Sequence, residues 1–156
     1  MNELDRLLKK DISNGIPQTG LAITIAFKLS NKSFDKLQSL MGSIIEMNTN
    51  ESQDDKVWEK TLPKWFVLKT KNITRDDLST NNQLWDFGSW IDAIRQRQWK
   101  WWGIKNLNSK TVIYLETIGY PYNIDPFFYM LYSIGIELKE TSILEIYPDS
   151  SNLQVV

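Results

Sequence analysis

From residue 21 to 29 the chain alternates. Leu21, Ile23, Ile25, Phe27 and Leu29 are separated by small or polar residues. A period of two predicts a strand. Ahead of it, Leu4, Leu7, Leu8 and Ile12 recur at helical spacing, and Asn14-Gly15 with Pro17 stop the run, which predicts a short amphipathic helix. After it, Phe34, Leu37, Leu40/Met41 and Ile44/Ile45 line one face of a helix expected over 34–47, with Ser33 as its cap. Trp65-Phe-Val-Leu-Lys-Thr70, entered through Pro63, reads as a strand, and residues 73–82 as a short turn-helix-turn piece.

Phe87, Trp90, Ile91 and Ile94 restore the helical period, predicting a helix over 87–97 with Asp86 as N-cap. Residues 99–104 then switch to a period of two. Residues 106–109 read as a turn, and 111–118 as a strand ended by Gly119 and Pro121. Asp125-Pro126 predicts a helix start, an N-cap acid followed by proline, and Gly135 its C-terminal cap. A last strand is expected over 142–147. The order from 65 to 147 is strand, helix, strand, strand, helix, strand. That order predicts an α+β fold, an antiparallel sheet with helices on one face, in the ferredoxin-like (split βαβ) arrangement. The helix-strand-helix run before it would be an N-terminal extension. The chain is expected to form one domain over 1–156, with a flexible polar loop at 48–56 and a polar tail at 148–156.

Composition narrows the chemistry. Cysteine and histidine are both absent, which removes thiolate nucleophiles, Cys-ligated zinc and the commonest general base. No Gly-rich phosphate loop, nucleophile elbow or metal-ligand cluster occurs, so neither catalysis nor a cofactor or metal is expected. Asp86, Asp92, Glu116 and Asp125 are the carboxylates a catalyst would have to use. Two of them read better as helix caps, and Asp92 as a partner of Arg95 three residues on. The first residues lack the basic and apolar pattern of a secretory signal, and Pro121, Asn123, Asp125 and Pro126 interrupt the longest weakly charged stretch. A cytoplasmic protein without a membrane span is the expectation.

The formal net charge is −1, against the basic character that nucleic-acid binding usually needs. The charge is nevertheless unevenly spread. Five of the seven tryptophans lie between Trp85 and Trp102, and Arg95, Arg97, Lys100, Lys105 and Lys110 make the region after Asp92 locally basic. Tryptophans beside cations can stack on single-stranded bases, so Arg95, Arg97, Lys100 and Trp102 form an alternative nucleic-acid site. The strand over 111–118 carries no signature of an RNA-recognition domain. The competing expectation places Trp90 in the core, Trp99 and Trp101 on one sheet face and Trp102 on the other. Residues 46–59 and 75–92 carry net charges of −4 and −3. With aromatics such as Trp58 or Trp85 beside them, they could meet a basic partner protein, charge steering the encounter and rings anchoring it. Asp54, Asp55, Trp58, Asp76 and Asp77 are the contact residues expected on that reading.

Four stretches also carry a resemblance: L-P-x-W-F at 62–66, L-W-D-F-G-S-W-I-D-A-I at 84–94, W-x-W-W at 99–102 and G-Y-P-Y-x-I-D-P at 119–126. Over residues 62–136 the chain resembles small bacterial proteins of toxin–immunity systems, among them the immunity partners of contact-dependent inhibition and other polymorphic toxins. The resemblance implies a cytoplasmic, non-catalytic protein whose partner is a cognate toxin domain, bound so as to block the toxin's active site. Many such toxins are nucleases with basic clefts, to which an acidic surface is the complement.

Overall fold

The computed structural model describes residues 2–9, 12, 15–48 and 54–148. Its elements, in chain order, begin with helix α1 (Glu3–Lys9), strand β1 (Gly20–Ile25) and helix α2 (Asn31–Asn48). Four helices follow: α3 (Asp55–Thr61), α4 (Lys64–Lys71), α5 (Arg75–Thr80) and α6 (Phe87–Arg95). Strands β2 (Trp99–Asn106) and β3 (Thr111–Thr117), helix α7 (Asp125–Ser133), a 3-10 turn (Leu138–Glu140) and strand β4 (Thr141–Ile146) complete the fold.

The α+β class holds, with one four-stranded sheet in the order β2-β3-β1-β4, every neighbouring pair antiparallel. This is the strand order of the split βαβ arrangement, but its span differs from the expected one. The first strand is Gly20–Ile25, not residues 65–70, so what read as an N-terminal extension belongs to the frame. The first crossover is correspondingly long and holds five helices, α2 to α6.

Residues 65–70 are the main correction. They form α4, with the amides of Phe66 and Val67 bonded to the Pro63 carbonyl. Local β-propensity is overridden by packing, because Phe66 and Thr70, four residues apart, are both buried. The Thr70 hydroxyl lies 2.7 Å from the Tyr129 hydroxyl, so the helical spacing also pairs two buried polar groups. Boundaries move too: strand β1 ends at Ile25, so Phe27 and Leu29 of the alternating run lie outside it. Ser30 rather than Ser33 caps α2, its Oγ accepting the Ser33 amide at 3.1 Å. Helix α6 ends at Arg95, short of Arg97. Asp125 is the first residue of α7, not its cap, and its amide donates to Asn123 Oδ1.

Gly135 ends α7 at φ +95°, its amide bonded to the Tyr132 carbonyl and that of Ile136 to Leu131, a Schellman closure. Between 48 and 56, residues 49–53 lie outside the described residues, Asp54 caps α3 and Asp55 begins it. The tail from 149 onward also lies outside them.

The main core lies between the helices and one sheet face. Leu21, Ile23, Ile25, Ile113 and Leu115 supply the sheet side, and Leu37, Met41, Phe66, Trp90, Ile94 and Phe127 the helical side. The opposite face holds a small second cluster of Ala22, Val112, Tyr114 and Ile146, with Ile12, Ile16, Trp102 and Leu107 packed on it. At Gly20, where β1 crosses β3, an added Cβ would stand 2.0 Å from the Leu115 carbonyl oxygen, so only glycine fits.

Candidate functional site

The acidic segments meet at the N-termini of α3 and α6. Asp54 caps α3, its Oδ1 accepting the Val57 amide at 3.1 Å. Asp86 caps α6 in the same way through Ser89, at 3.0 Å. Those hydrogen bonds from Ser89 hold the Asp86 carboxyl below its ordinary pKa. Between the two helices stands Gly88, where an added Cβ would come within 3.9 Å of carboxylate oxygens of both Asp86 and Asp55. Arg95, at the other end of α6, reaches Asp55 at 3.2 Å and Asp92 at 3.3 Å. Asp55 and Asp92 thus share one guanidinium, and Asp55 also stands beside Asp86 at Gly88, although about thirty residues of chain separate Asp55 from Asp86.

The remaining contact candidates are placed differently. Trp58 is only 2% exposed, a core residue and not the exposed anchor expected, because its helix turns the ring inward. It lies under Arg95, whose guanidinium carbon is 5.8 Å from the ring centroid. Trp85 is half-buried against the core. Asp77 closes a capping box with Thr74, bonds that lower its pKa, and Asp76 is exposed on the same helix. Among the described residues no ion pair or hydrogen bond joins Asp76 or Asp77 to Asp54 or Asp55.

The basic, tryptophan-rich segment is dispersed by the fold. Trp99 and Trp101 are buried, as the alternation predicts. Trp102 turns to the other face and is half-buried; its indole N–H donates to the Gly15 carbonyl at 2.8 Å, and the Arg6 guanidinium covers its ring at 3.4 Å. The Arg97 side chain is 5% exposed and bound through both terminal nitrogens to Glu3, at 2.8 and 2.9 Å. Lys100 is exposed opposite Glu116. Of Arg95, Arg97, Lys100 and Trp102, two are held by carboxylates, and Arg6 already occupies a ring face that a base would need.

Sequence reasoning missed Glu3. Besides holding Arg97, its Oε2 accepts the Trp101 amide at 2.7 Å, and Arg97 donates to the Trp99 carbonyl at 2.8 Å. These are outward-facing groups of edge strand β2, so α1 seals that edge. Nothing in the pattern around Glu3 distinguishes it from a solvated first-turn acid. A bulge was also missed: Trp101 pairs with Leu115 and Gly103 with Tyr114, leaving Trp102 as the extra residue. The bulge lets Trp99, Trp101 and Ile104 all face the helices.

Two hollows lie elsewhere on the surface. One, about 440 Å3, lies between Lys28, Phe34, Asp35 and Asn106. The other, about 410 Å3, lies at the sheet end between Ile118, Tyr120, Tyr122 and Tyr147. In the second, Tyr122 and Tyr147 both donate to the Glu145 carboxylate. Neither gathers groups suited to catalysis, and among the described residues no three His, Cys, Asp or Glu side chains could hold a metal ion. Glu116 lies on the sheet face away from the helices, and Asp125 on the first turn of α7. Among the described residues no helix is long and apolar enough to cross a membrane. No protein-family model, curated protein or solved structure matches the chain.

Proposed function

We propose that this chain is a non-catalytic protein-binding protein, an immunity protein that neutralises a cognate bacterial toxin in the cytoplasm by covering its active site. One observation carries the reading: acids distant in sequence, Asp55 on α3 and Asp86 and Asp92 on α6, come together around Gly88 and Arg95, over buried Trp58. A rigid acidic face complements a cationic cleft and accelerates encounter with it. Asp54, Asp55, Asp86 and Asp92 make the face, and Asp76 and Asp77 on α5 are further exposed acids. Trp58 acts from beneath by supporting Arg95 rather than by contact.

The test is co-expression with the toxin-bearing product of the neighbouring gene. A stable complex and loss of toxicity are expected. If no complex forms and toxicity persists, the reading fails.

A further inference from the structure

The two edges of the sheet are treated differently. At β2, the outward Trp99 carbonyl and Trp101 amide are taken by Arg97 and Glu3, and Trp102 bulges. At β4 the direction of each backbone group follows from the ladder. The Ala26 amide bonds the Glu140 carbonyl, and partners on an antiparallel ladder alternate. With Thr24 opposite Ser142 and Ala22 opposite Leu144, residues 142, 144 and 146 bond inward to β1. Thr141, Ile143 and Glu145 therefore point outward.

The Thr141 amide is used by the Leu138 carbonyl. The amides of Ile143 and Glu145 and the carbonyls of Thr141, Ile143 and Glu145 take no partner among the described residues. The strand has no lysine, proline or bulge, the usual devices that protect an edge. It instead exposes Ile143 (47%) and Leu144 (41%).

We infer that β4 pairs with β4 of a second copy of this chain, antiparallel about a two-fold axis through Ile143, joining the two sheets into one. The symmetry selects the register. A two-fold that continues the sheet runs perpendicular to it, so residues opposite each other share a face. Centred on Ile143, the two copies exchange both Ile143 N–H···O=C bonds, and each Glu145 amide meets a Thr141 carbonyl. This register uses four of the five free outward groups; only the Glu145 carbonyl, opposite the already bonded Thr141 amide, is left to solvent. Ile143 packs on Ile143 of the partner, Leu144 stands opposite Ser142, and Glu145 opposite Thr141, so no like charges face each other. A net charge of −1 leaves little repulsion between copies. The acidic face on α3 and α6 takes no part.

The full-length chain tests this. It has no cysteine, so Ile143→Cys supplies a single thiol. Paired Cα atoms in that register stand about 5.5 Å apart, within disulfide reach. The thiols of two Glu145→Cys chains would be separated by about 13 Å along the strands. Mild oxidation should cross-link the Ile143→Cys variant at least about tenfold faster than the Glu145→Cys variant. In sedimentation equilibrium, the mass of the unaltered chain should rise toward two copies with concentration. Ile143→Lys, which sets like charges opposite each other, should raise the dissociation constant about tenfold or more. Equal cross-linking at the two positions overturns the inference, as does a dimer that Ile143→Lys leaves intact. A monomer at all concentrations overturns it too, including one whose Ile143 amide resists exchange because another part of the chain covers the edge.

Discussion

Glu3 and Arg97 show how much can rest on one buried pair. Their side chains are 9% and 5% exposed, and between them they bond each other and two backbone groups of β2. Removing one charge strands the other in a low-dielectric site, which costs about 3–5 kcal/mol. Arg97→Ala should lower the urea midpoint accordingly with an unchanged slope, and Glu3→Ala should do the same. Asp86→Ala removes a helix cap that faces solvent and should cost only about 1 kcal/mol in the same measurement. Titration separates two further residues. Burial raises the pKa of Tyr114 and Tyr129 above the ordinary tyrosine value. A raised folded pKa means that the folded state keeps its proton when the unfolded chain has lost it. Stability is then complete below the unfolded pKa and falls as pH climbs above about 10. Denaturation followed from pH 8 to 11 should show that decline, and Tyr129→Phe should reduce it. Tyr129→Phe also leaves the Thr70 hydroxyl without its buried partner, so the comparison is of slopes and not of absolute stabilities.

Elements with a strong period were legible, and those decided by a neighbour were not. Helix α6 and strands β1, β2 and β3 follow their apolar spacing because each turns its large apolar side chains toward the main core. Helix α4 defeats the same reasoning. Trp65-Phe-Val-Leu has the composition of a strand, and only Tyr129 and the core make a helical turn the better burial for Phe66 and Thr70. Helix α1 is a different case: its spacing is visible, but its purpose is not. Of its leucines only Leu7 is buried, while Leu4 and Leu8 are 43% and 60% exposed. Its place in the fold comes from Glu3 on the β2 edge and from the Leu7 carbonyl, which accepts from Gln38 at 3.1 Å. Deleting residues 1–9 should therefore do more than its buried area suggests. It uncovers the β2 edge, and static light scattering should show the truncated chain associating to masses above the two copies that the full chain reaches.

At the scale of the whole molecule, the long first crossover builds the proposed binding face. Five helices between β1 and β2 allow α3 and α6 to start side by side, bringing together acids that composition averages to near neutrality. Such a face acts through long-range charge. The double variant Asp55→Lys with Asp92→Lys should slow association with the toxin domain about tenfold or more at low salt. The deficit should shrink as ionic strength rises. Stopped-flow or surface-plasmon association rates at two salt concentrations would show it. An equal loss at both would place these residues outside the electrostatic path.

By itself the sequence determined the class and most of the elements, because periods of two and 3.6 are imposed locally by which side of a strand or helix is buried. It also determined that Trp90, Trp99 and Trp101 are core and that Trp102 turns away from them. Which strand opens the split βαβ frame was decided only by tertiary pairing, since β1 meets β3 and β4 across long stretches of intervening chain. The fates of Arg95 and Arg97 were likewise decided there. Arg97 reads as a free cation in a basic run, and Arg95 as paired with Asp92 alone, until Glu3 and Asp55 arrive from other elements. The inequality of the two edges, one sealed by α1 and the other open along β4, is a property of strand order. Lys100 and Lys105 in β2 and the absence of lysine from β4 fit it, but which strands are edges comes only from the pairing.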